Sequence, residues 1–274
     1  MSTIGRRLKK DDLSIGESGM SNVDRGGRML TQVIPSPLDA IKRDIKQALG
    51  ILEQTGVCAV MPMNDVPLWV AKQRSHGDYC SPLALILSRQ DPSRCVLIAH
   101  TLVDALILPW GIARVEVAHQ GYINFFLTPE AYAHRLRALT PQAAGPLMEA
   151  PWCLAASMLP AFRVVYQRTH AILVQWSAWG VPDDVLWEAS ILTDEDVALL
   201  MALEGFIHER QRAEQTPSQA VNVHVLQHFA SILQRYYNRV TLVGPCRHVR
   251  CARWCLIKAV YDHVFMNIAG CSTR

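Results

Sequence analysis

The sequence predicts an α+β fold in which a small amino-terminal α/β domain with an antiparallel hairpin is followed by an all-helical bundle. Residues on either side of His119-Gln120-Gly121 alternate as two strands joined by a tight turn do. After residue 160, apolar side chains recur at spacings of three and four, which is typical of packed helices. With 274 residues, half of them hydrophobic, the chain can build two cores of ordinary size.

Residues 1–36 mix basic side chains with glycine and serine, and few apolar residues recur at any period. Such a segment cannot offset the entropy cost of ordering it, so we expect a disordered tail. Pro37 then opens a helix, which Gly56 ends. The apolar stripe of this helix is formed by Leu38, Ile41, Ile45, Ala48, Leu49 and Leu52.

The remaining elements of the first domain, residues 37–139, follow in order. Asp78 or Ser81 is expected to cap a helix that begins near Pro82, because a short side-chain oxygen accepts a hydrogen bond from an unpaired helix amide. The further predicted elements are a helix at Pro92–Leu108, strands at Arg114–Ala118 and Tyr122–Thr128, and a helix from Pro129.

Two runs in this domain resemble the signatures of the amino-terminal added domain of arginyl-tRNA synthetase. His76-Gly77-Asp78-Tyr79 is similar to the "HGDY" run, and residues 115–127 are similar to "VEVAGPGFINFFL". In that family the domain holds the D-loop corner of the tRNA. The residues to which the resemblance points for D-loop contact are Tyr122, Asn124, His119 and Tyr79.

The hairpin has the residue types that recognition of a loop base needs. An unstacked base offers a ring face for stacking and a polar edge for hydrogen bonding. Tyr122 and Asn124 stand two positions apart, and therefore on one face of a strand. The alternative is that both side chains face a core, and that His76, Asp78 and Tyr79 only hold the turn of their own loop.

Residues 140–160 predict a linker in the place where the synthetase has its catalytic domain. None of the ten histidines stands in a His-x-Gly-His run, and the sequence contains no glycine-rich phosphate loop. We therefore expect neither ATP binding nor aminoacylation, and no cofactor.

The part of the chain from 161 to 274 resembles the helical "DALR" anticodon-binding domain of the same family. Gln167-Arg168-Thr169-His170-Ala171 is similar to "QYAHAR", Ile191–Asp196 to "LLTDPEE", and Arg235-Tyr236-Tyr237-Asn238 to "SFYN". Arg168 and Ile172 depart from the family pattern, which has tyrosine and arginine there. The resemblance implies anticodon contacts by Gln167, Arg168, His170, Tyr237 and Asn238.

The charge distribution indicates a polyanion partner. The stretch from 235 to 274 has seven Lys and Arg residues and one acid, in a chain whose net charge is only +3. Five of these cations are predicted to bind phosphate: Arg235, Arg247, Arg250, Arg253 and Lys258. Solvated surface charge is the other interpretation.

The eight cysteines show no pairing intervals and no signal peptide precedes them, which indicates a cytoplasmic protein without structural disulfides. Cys246, Cys251 and Cys255, with His248 nearby, could be interpreted as zinc ligands. Their spacing instead places small thiols on one side of a helix, so we expect no metal. The long apolar run from Cys95 to Ile112 contains His100 and Asp104 and has helical periodicity, and it predicts a buried helix, not a membrane span.

These observations lead to one functional prediction and one alternative. The chain is predicted to be a non-catalytic protein that binds tRNA, specifically arginine isoacceptors, and presents or delivers it to a partner enzyme. The alternative is a protein-interaction or scaffold subunit of a larger complex that has lost RNA binding.

Overall fold

The computed structural model describes residues 6–7, 36–56, 65–71, 73–140, 160–178, 191–215, 223–242 and 246–266, which form two compact units. The first unit ends at Thr128 and the second begins at Pro129. The elements of the first unit are β1 (Arg6–Arg7), α1 (Pro37–Gln54), β2 (Trp69–Val70), β3 (Tyr79–Ser81), α2 (Leu83–Leu87), α3 (Cys95–Ala105), β4 (Ile112–Val117) and β5 (Ile123–Leu127), with 3₁₀ turns at Arg74–His76 and Pro92–Arg94.

The strands of the first unit form one antiparallel sheet in the order β1-β4-β5-β3-β2. The predicted hairpin is β4 and β5, and its pairing places Glu116 opposite Asn124 and Val117 opposite Ile123. The α+β prediction is therefore confirmed. The sheet is wider than the sequence predicted, because β2 and β3 add to the β5 side and Arg6–Arg7 pairs with β4.

One face of the sheet forms part of the core. Tyr79, Phe125 and Val115 stand side by side on three neighbouring strands, and each is at most 1% exposed. Helix α3 packs on β4, and α1 packs on α3. Helix α1 follows the prediction: Pro37 is its first residue, Gly56 follows it at φ 69°, and its predicted apolar stripe is buried.

The His76-Gly77-Asp78-Tyr79 run does not lead into a helix but connects a 3₁₀ turn to β3. Gly77 has φ 89°, and a Cβ there would lie 2.7 Å from the carbonyl oxygen of Phe125. The buried Asp78 carboxylate accepts a hydrogen bond from the amide of Leu127 at 2.8 Å. Of the two residues predicted to cap α2, it is Ser81 whose hydroxyl accepts a hydrogen bond from the amide of Leu83, at 3.3 Å. The run therefore holds β3 against the end of β5.

The second unit is helical in its described residues. It contains α4 (Pro129–Leu139), α5 (Pro160–Ala178), α6 (Asp194–Gln215), α7 (Val223–Arg239) and α8 (Arg247–Val260), which continues into a π turn at Tyr261–Phe265. Helix α7 packs on α5 and α6, and α8 packs on α4, α5 and α6. The predicted first domain extended to residue 139, whereas α4 packs in the second unit. Arg135 of α4 forms an ion pair with the buried Glu204 at 2.5 Å, which ties the helix to α6.

Asp196 joins three helices of the second unit. At the start of α6 it accepts hydrogen bonds from the amide and hydroxyl of Thr193, at 2.9 and 2.7 Å. Its carboxylate also accepts from the Tyr236 hydroxyl at 2.7 Å and from Arg253 at 3.1 Å. Burial, and after it the Asp196 charge, raise the pKa of Tyr236 well above its ordinary value. Asp196 is only 1% exposed, and burial of an unpaired carboxylate would be unfavourable. These four hydrogen-bonding groups offset that unfavourable free energy.

Some predictions concern residues outside the described ranges. Of the predicted tail, the structure describes only residues 6–7 and 36. Most of the predicted linker also lies outside the described residues.

Candidate nucleic-acid interface

The turn of the hairpin is solvent-accessible at the positions that the sequence selected. Tyr122 is 36% exposed and His119 is exposed. The turn is closed by a hydrogen bond from the Ala118 amide to the carbonyl of Tyr122 at 2.8 Å. Gly121 has φ 85°, and a side chain there would collide with the buried Cys95. The turn is thus anchored on α3, so its exposed ring is presented by a fixed backbone.

Asn124 lies beyond Tyr122 on the side of the sheet that faces away from the core. It stands opposite Cys80 on β3 and opposite Glu116 on β4. We call this side the outer face, which comprises Trp69, Cys80, Arg114, Glu116, Asn124 and Phe126, with Tyr122 at its end. Asn124 is buried, with 6% of its surface exposed, so Tyr122 is the more accessible of the two predicted base-contact residues.

Tyr79, the fourth predicted D-loop residue, lies in the core. It is 0% exposed and paired with Phe125 on the core face of the sheet. A ring without exposed surface cannot stack on a base, so the position stabilises the fold. The sequence could not separate it from Tyr122, because both are tyrosines within family signatures and only the strand register sets them on opposite faces.

The outer face contains further groups that the sequence did not single out. Arg114 is stacked over the Phe126 ring, with 3.6 Å from its Cζ to the ring centroid, and forms a 2.7 Å ion pair with Glu116. Trp69 on β2 is 41% exposed and stands opposite Cys80. Strand alternation could have indicated Arg114 and Phe126, whereas nothing in the sequence indicated the two-residue strand that contains Trp69.

The second unit has a groove of about 650 Å³ between α5 and α7. We call it the α5–α7 groove, and its lining includes Ala161, Val164, Val165, Ala230, Ser231, Gln234, Arg235, Asn238 and Arg239. One wall is apolar and the other has two exposed arginines, Arg235 and Arg239. Arg235 was predicted to bind phosphate and Arg239 was not, although both belong to the basic stretch from 235 to 274. Such a lining suits an anion with an apolar part, as a nucleotide is.

Three of the five predicted anticodon residues, Arg168, Tyr237 and Asn238, come together at the carboxyl end of α7. Arg168 donates hydrogen bonds to the Tyr237 carbonyl at 3.0 Å and to Asn238 Oδ1 at 3.3 Å, and it stands 5.0 Å from the Tyr237 ring centroid. A cation there compensates the partial negative charge of the helix end. Gln167 is exposed, whereas His170 is half-buried beside the ring of Tyr261.

Tyr237 is 4% exposed, and its hydroxyl lies 2.6 Å from that of Thr169. Burial raises the pKa of Tyr237, which keeps the phenol protonated. A neutral buried ring of this kind acts as the support on which Arg168 is positioned. Asn238 and Arg168 are the exposed members of the group, and Asn238 also lines the α5–α7 groove.

Three of the five predicted phosphate-binding cations are exposed: Arg235, Arg247 and Arg250. The structure corrects the prediction for the other two. Arg253 is 7% exposed. Its guanidinium forms an ion pair with Asp196 at 3.1 Å and donates a hydrogen bond to the Thr241 carbonyl at 2.9 Å. Lys258 is 8% exposed and forms a 2.6 Å ion pair with Asp262 one helical turn further.

The described residues contain neither a cluster of metal ligands nor a membrane-spanning helix. Among these residues, no three histidine, cysteine or acidic side chains converge as metal ligands would. Within the same part of the chain, no helix combines the length and apolar character that crossing a bilayer requires.

Comparison with known proteins finds relatives of the first unit. Residues 39–127 match the sequence model of the family described as arginyl tRNA synthetase N terminal domain. An arginine–tRNA ligase of Ectopseudomonas mendocina is 35% identical over 105 residues, which are 38% of this chain and 18% of the ligase. The ligase of Azotobacter vinelandii is 33% identical over 108 residues, 39% of this chain and 19% of that protein. A Pseudomonas putida ligase is 32% identical over 105 residues, again 38% and 18%.

The matched part spans less than a fifth of the length of these relatives. It includes the hairpin, the His76-Gly77-Asp78-Tyr79 run and all the outer-face residues. Over residues 39–127, this chain therefore resembles the amino-terminal domain of arginyl-tRNA synthetase.

Proposed function

We propose that this chain is a cytoplasmic, non-catalytic tRNA-binding protein that holds arginine tRNAs and passes them to a partner enzyme. The observation that carries the proposal is the outer face, where Tyr122 stands exposed beside Asn124 within the part that matches a tRNA ligase. The relatives are named for joining arginine to tRNA, so tRNA is the ligand that their shared domain suggests.

The second unit supplies a complementary set of groups. The exposed Arg235, Arg239, Arg247 and Arg250 provide positive charge for phosphates, and the α5–α7 groove offers an apolar wall beside two of them. Phosphate contacts give affinity without identity, whereas base contacts provide selectivity. We therefore assign affinity for the phosphates to these arginines and selectivity among tRNAs to the outer face. Arg168 and Asn238 contribute further selectivity as an anticodon-binding pair of DALR type.

The test is tRNA binding by the purified chain, together with sequencing of the small RNA that copurifies with it. We expect arginine isoacceptors to be enriched and to bind more tightly than other tRNAs. Tyr122→Ala should weaken binding by about 1–3 kcal/mol, because it removes one stacking ring. Trp110→Ala is the matched control, since Trp110 is 50% exposed but lies outside the strands. Equal binding of all tRNAs, or no effect of Tyr122→Ala, would contradict the proposal.

The non-catalytic part of the proposal rests on the absence of a His-x-Gly-His run and of a phosphate loop from the printed sequence. It is checked on the same preparation by ATP–pyrophosphate exchange with arginine and tRNA present. We expect no exchange above background. Measurable exchange would show that the chain activates arginine itself.

A scaffold function is the second candidate, and exposed apolar side chains of the first unit favour it. Leu97 and Ile107 are each more than half exposed, and such residues suit contact with another protein. The same residues would serve the partner enzyme in the first proposal. The two candidates differ in tRNA binding, which a pure scaffold would lack.

A further inference from the structure

We infer that the outer face holds two unstacked RNA bases instead of one, with Trp69 as the second stacking residue. This inference rests on the proposed function, because it concerns how the same face engages the same RNA. It adds a base-stacking side chain on β2, a strand that none of the sequence signatures includes.

The strand register places Trp69 on the outer face. Trp69 stands opposite Cys80, and Cys80 stands opposite Asn124, so the three side chains form one row across β2, β3 and β5. Two strand spacings separate Trp69 from Asn124, or about 9.5 Å. Trp69 keeps 41% of its surface exposed, although its large ring would be buried if it served only the core.

That spacing determines what kind of RNA fits. Nucleotides of one stacked strand follow each other at about 3.4 Å, much less than the distance from Asn124 to Trp69. Adjacent bases of one stack therefore cannot reach both positions. A side-chain ring also stacks only on a base face that no neighbouring base covers, so the base on Tyr122 and the base on Trp69 must each be pulled out of the stack. Splayed loop nucleotides satisfy this condition, whereas a regular RNA helix does not.

The groups between the two positions do not repel a polyanion. Cys80 is small and half-buried, and burial raises the pKa of its thiol, so it adds no negative charge. Glu116, the acid of this row, forms an ion pair with Arg114 at 2.7 Å. The face thus presents two exposed aromatic rings around a neutral floor, with a cation at one side.

The test replaces Trp69 by side chains that differ in having an aromatic ring. Trp69→Leu keeps an apolar side chain without a stacking surface, whereas Trp69→Phe keeps a ring. In direct binding of an arginine tRNA at fixed salt, we expect Trp69→Leu to weaken affinity about tenfold and Trp69→Phe to stay within about threefold. A residue that only covered the sheet edge would give the two variants the same affinity, which would overturn the inference.

A double variant then asks whether Trp69 and Tyr122 hold different bases. If the two rings hold separate bases, the losses in tRNA affinity should multiply. The double variant Trp69→Leu with Tyr122→Ala should then bind about 100-fold more weakly than the wild type. A double variant no weaker than the worse single variant would mean one shared base and would overturn the inference. If only Tyr122→Ala weakens binding, the inference fails and the proposed function stands. If the wild-type chain binds no tRNA, both fail. Trp110→Ala is the control throughout.

Discussion

At the scale of single residues, the structure separates arginines that the sequence treats alike. Arg250 and Arg253 stand three positions apart on α8, and both were predicted to bind phosphate. Arg250 is exposed, whereas Arg253 is buried against Asp196. Asp196 lies 57 residues earlier in the chain, so no local pattern could reveal the pair. Local charge counts predict a basic surface, but they cannot say which cations are used inside the fold.

Replacing Arg253 tests this separation. Arg253→Met should lower the free energy of unfolding by about 3–5 kcal/mol, because it leaves the buried Asp196 carboxylate without its cation. Arg250→Met, the matched control on the same helix, should change it by no more than about 0.5 kcal/mol. Urea unfolding followed by circular dichroism measures both. Equal effects of the two substitutions would mean that the Asp196 network contributes no specific stability.

At the scale of elements, the sequence predicted what local patterns encode. Helix α1 and the β4–β5 hairpin follow from apolar periodicity and a turn that closes within a few residues. Strands β2 and β3, of two and three residues, are too short to display a period. Strand β3 forms by pairing with β5 more than 40 residues later, and β2 pairs in turn with β3. The outer face depends on these strands. Tyr122 and Asn124 were therefore predictable as a pair, while their neighbour Trp69 was not.

The junction between β3 and β5 can be tested through Gly77. Gly77→Ala places a Cβ 2.7 Å from the Phe125 carbonyl oxygen at φ 89°, so we expect a loss of at least about 1–3 kcal/mol in unfolding free energy. Gly50→Ala is the matched control, since Gly50 lies inside α1 with no atom within 4 Å of the added methyl group. It should raise the melting temperature, by an amount equivalent to about 0.5–1 kcal/mol. If both Gly77→Ala and Gly50→Ala were more stable than the wild type, the close approach of Gly77 to the Phe125 carbonyl would be contradicted.

At the scale of the whole molecule, the chain divides differently from its sequence signatures. The hairpin signature and the helix from Pro129 are consecutive in the sequence, yet that helix packs in the second unit. The sequence could identify the helix but not its partners, because Arg135 pairs with a residue 69 positions away. In the proposed function, the first unit consequently recognises bases, and the exposed arginines of the second unit contact phosphates.

Salt dependence tests that assignment directly. Each phosphate contact adds about 0.7–0.9 to the slope of log affinity against log salt concentration, because binding releases the counterions of that phosphate. Arg247→Gln with Arg250→Gln removes two exposed cations of α8, so we expect the slope for an arginine tRNA to fall by about 1.4–1.8. The preference for arginine tRNAs over other tRNAs should persist, since phosphate contacts read no sequence.

The control for this double variant has the same change in net charge at a different place. Arg43→Gln with Lys46→Gln also removes two exposed cations, but from α1 in the first unit. If α8 contacts phosphates, the α8 pair should flatten the slope much more than the α1 pair, because counterion release requires close contact and not merely positive net charge. Equal slopes for the two double variants, measured by filter binding between 50 and 200 mM salt, would mean that α8 does not contact the tRNA and that its arginines act only through the net charge.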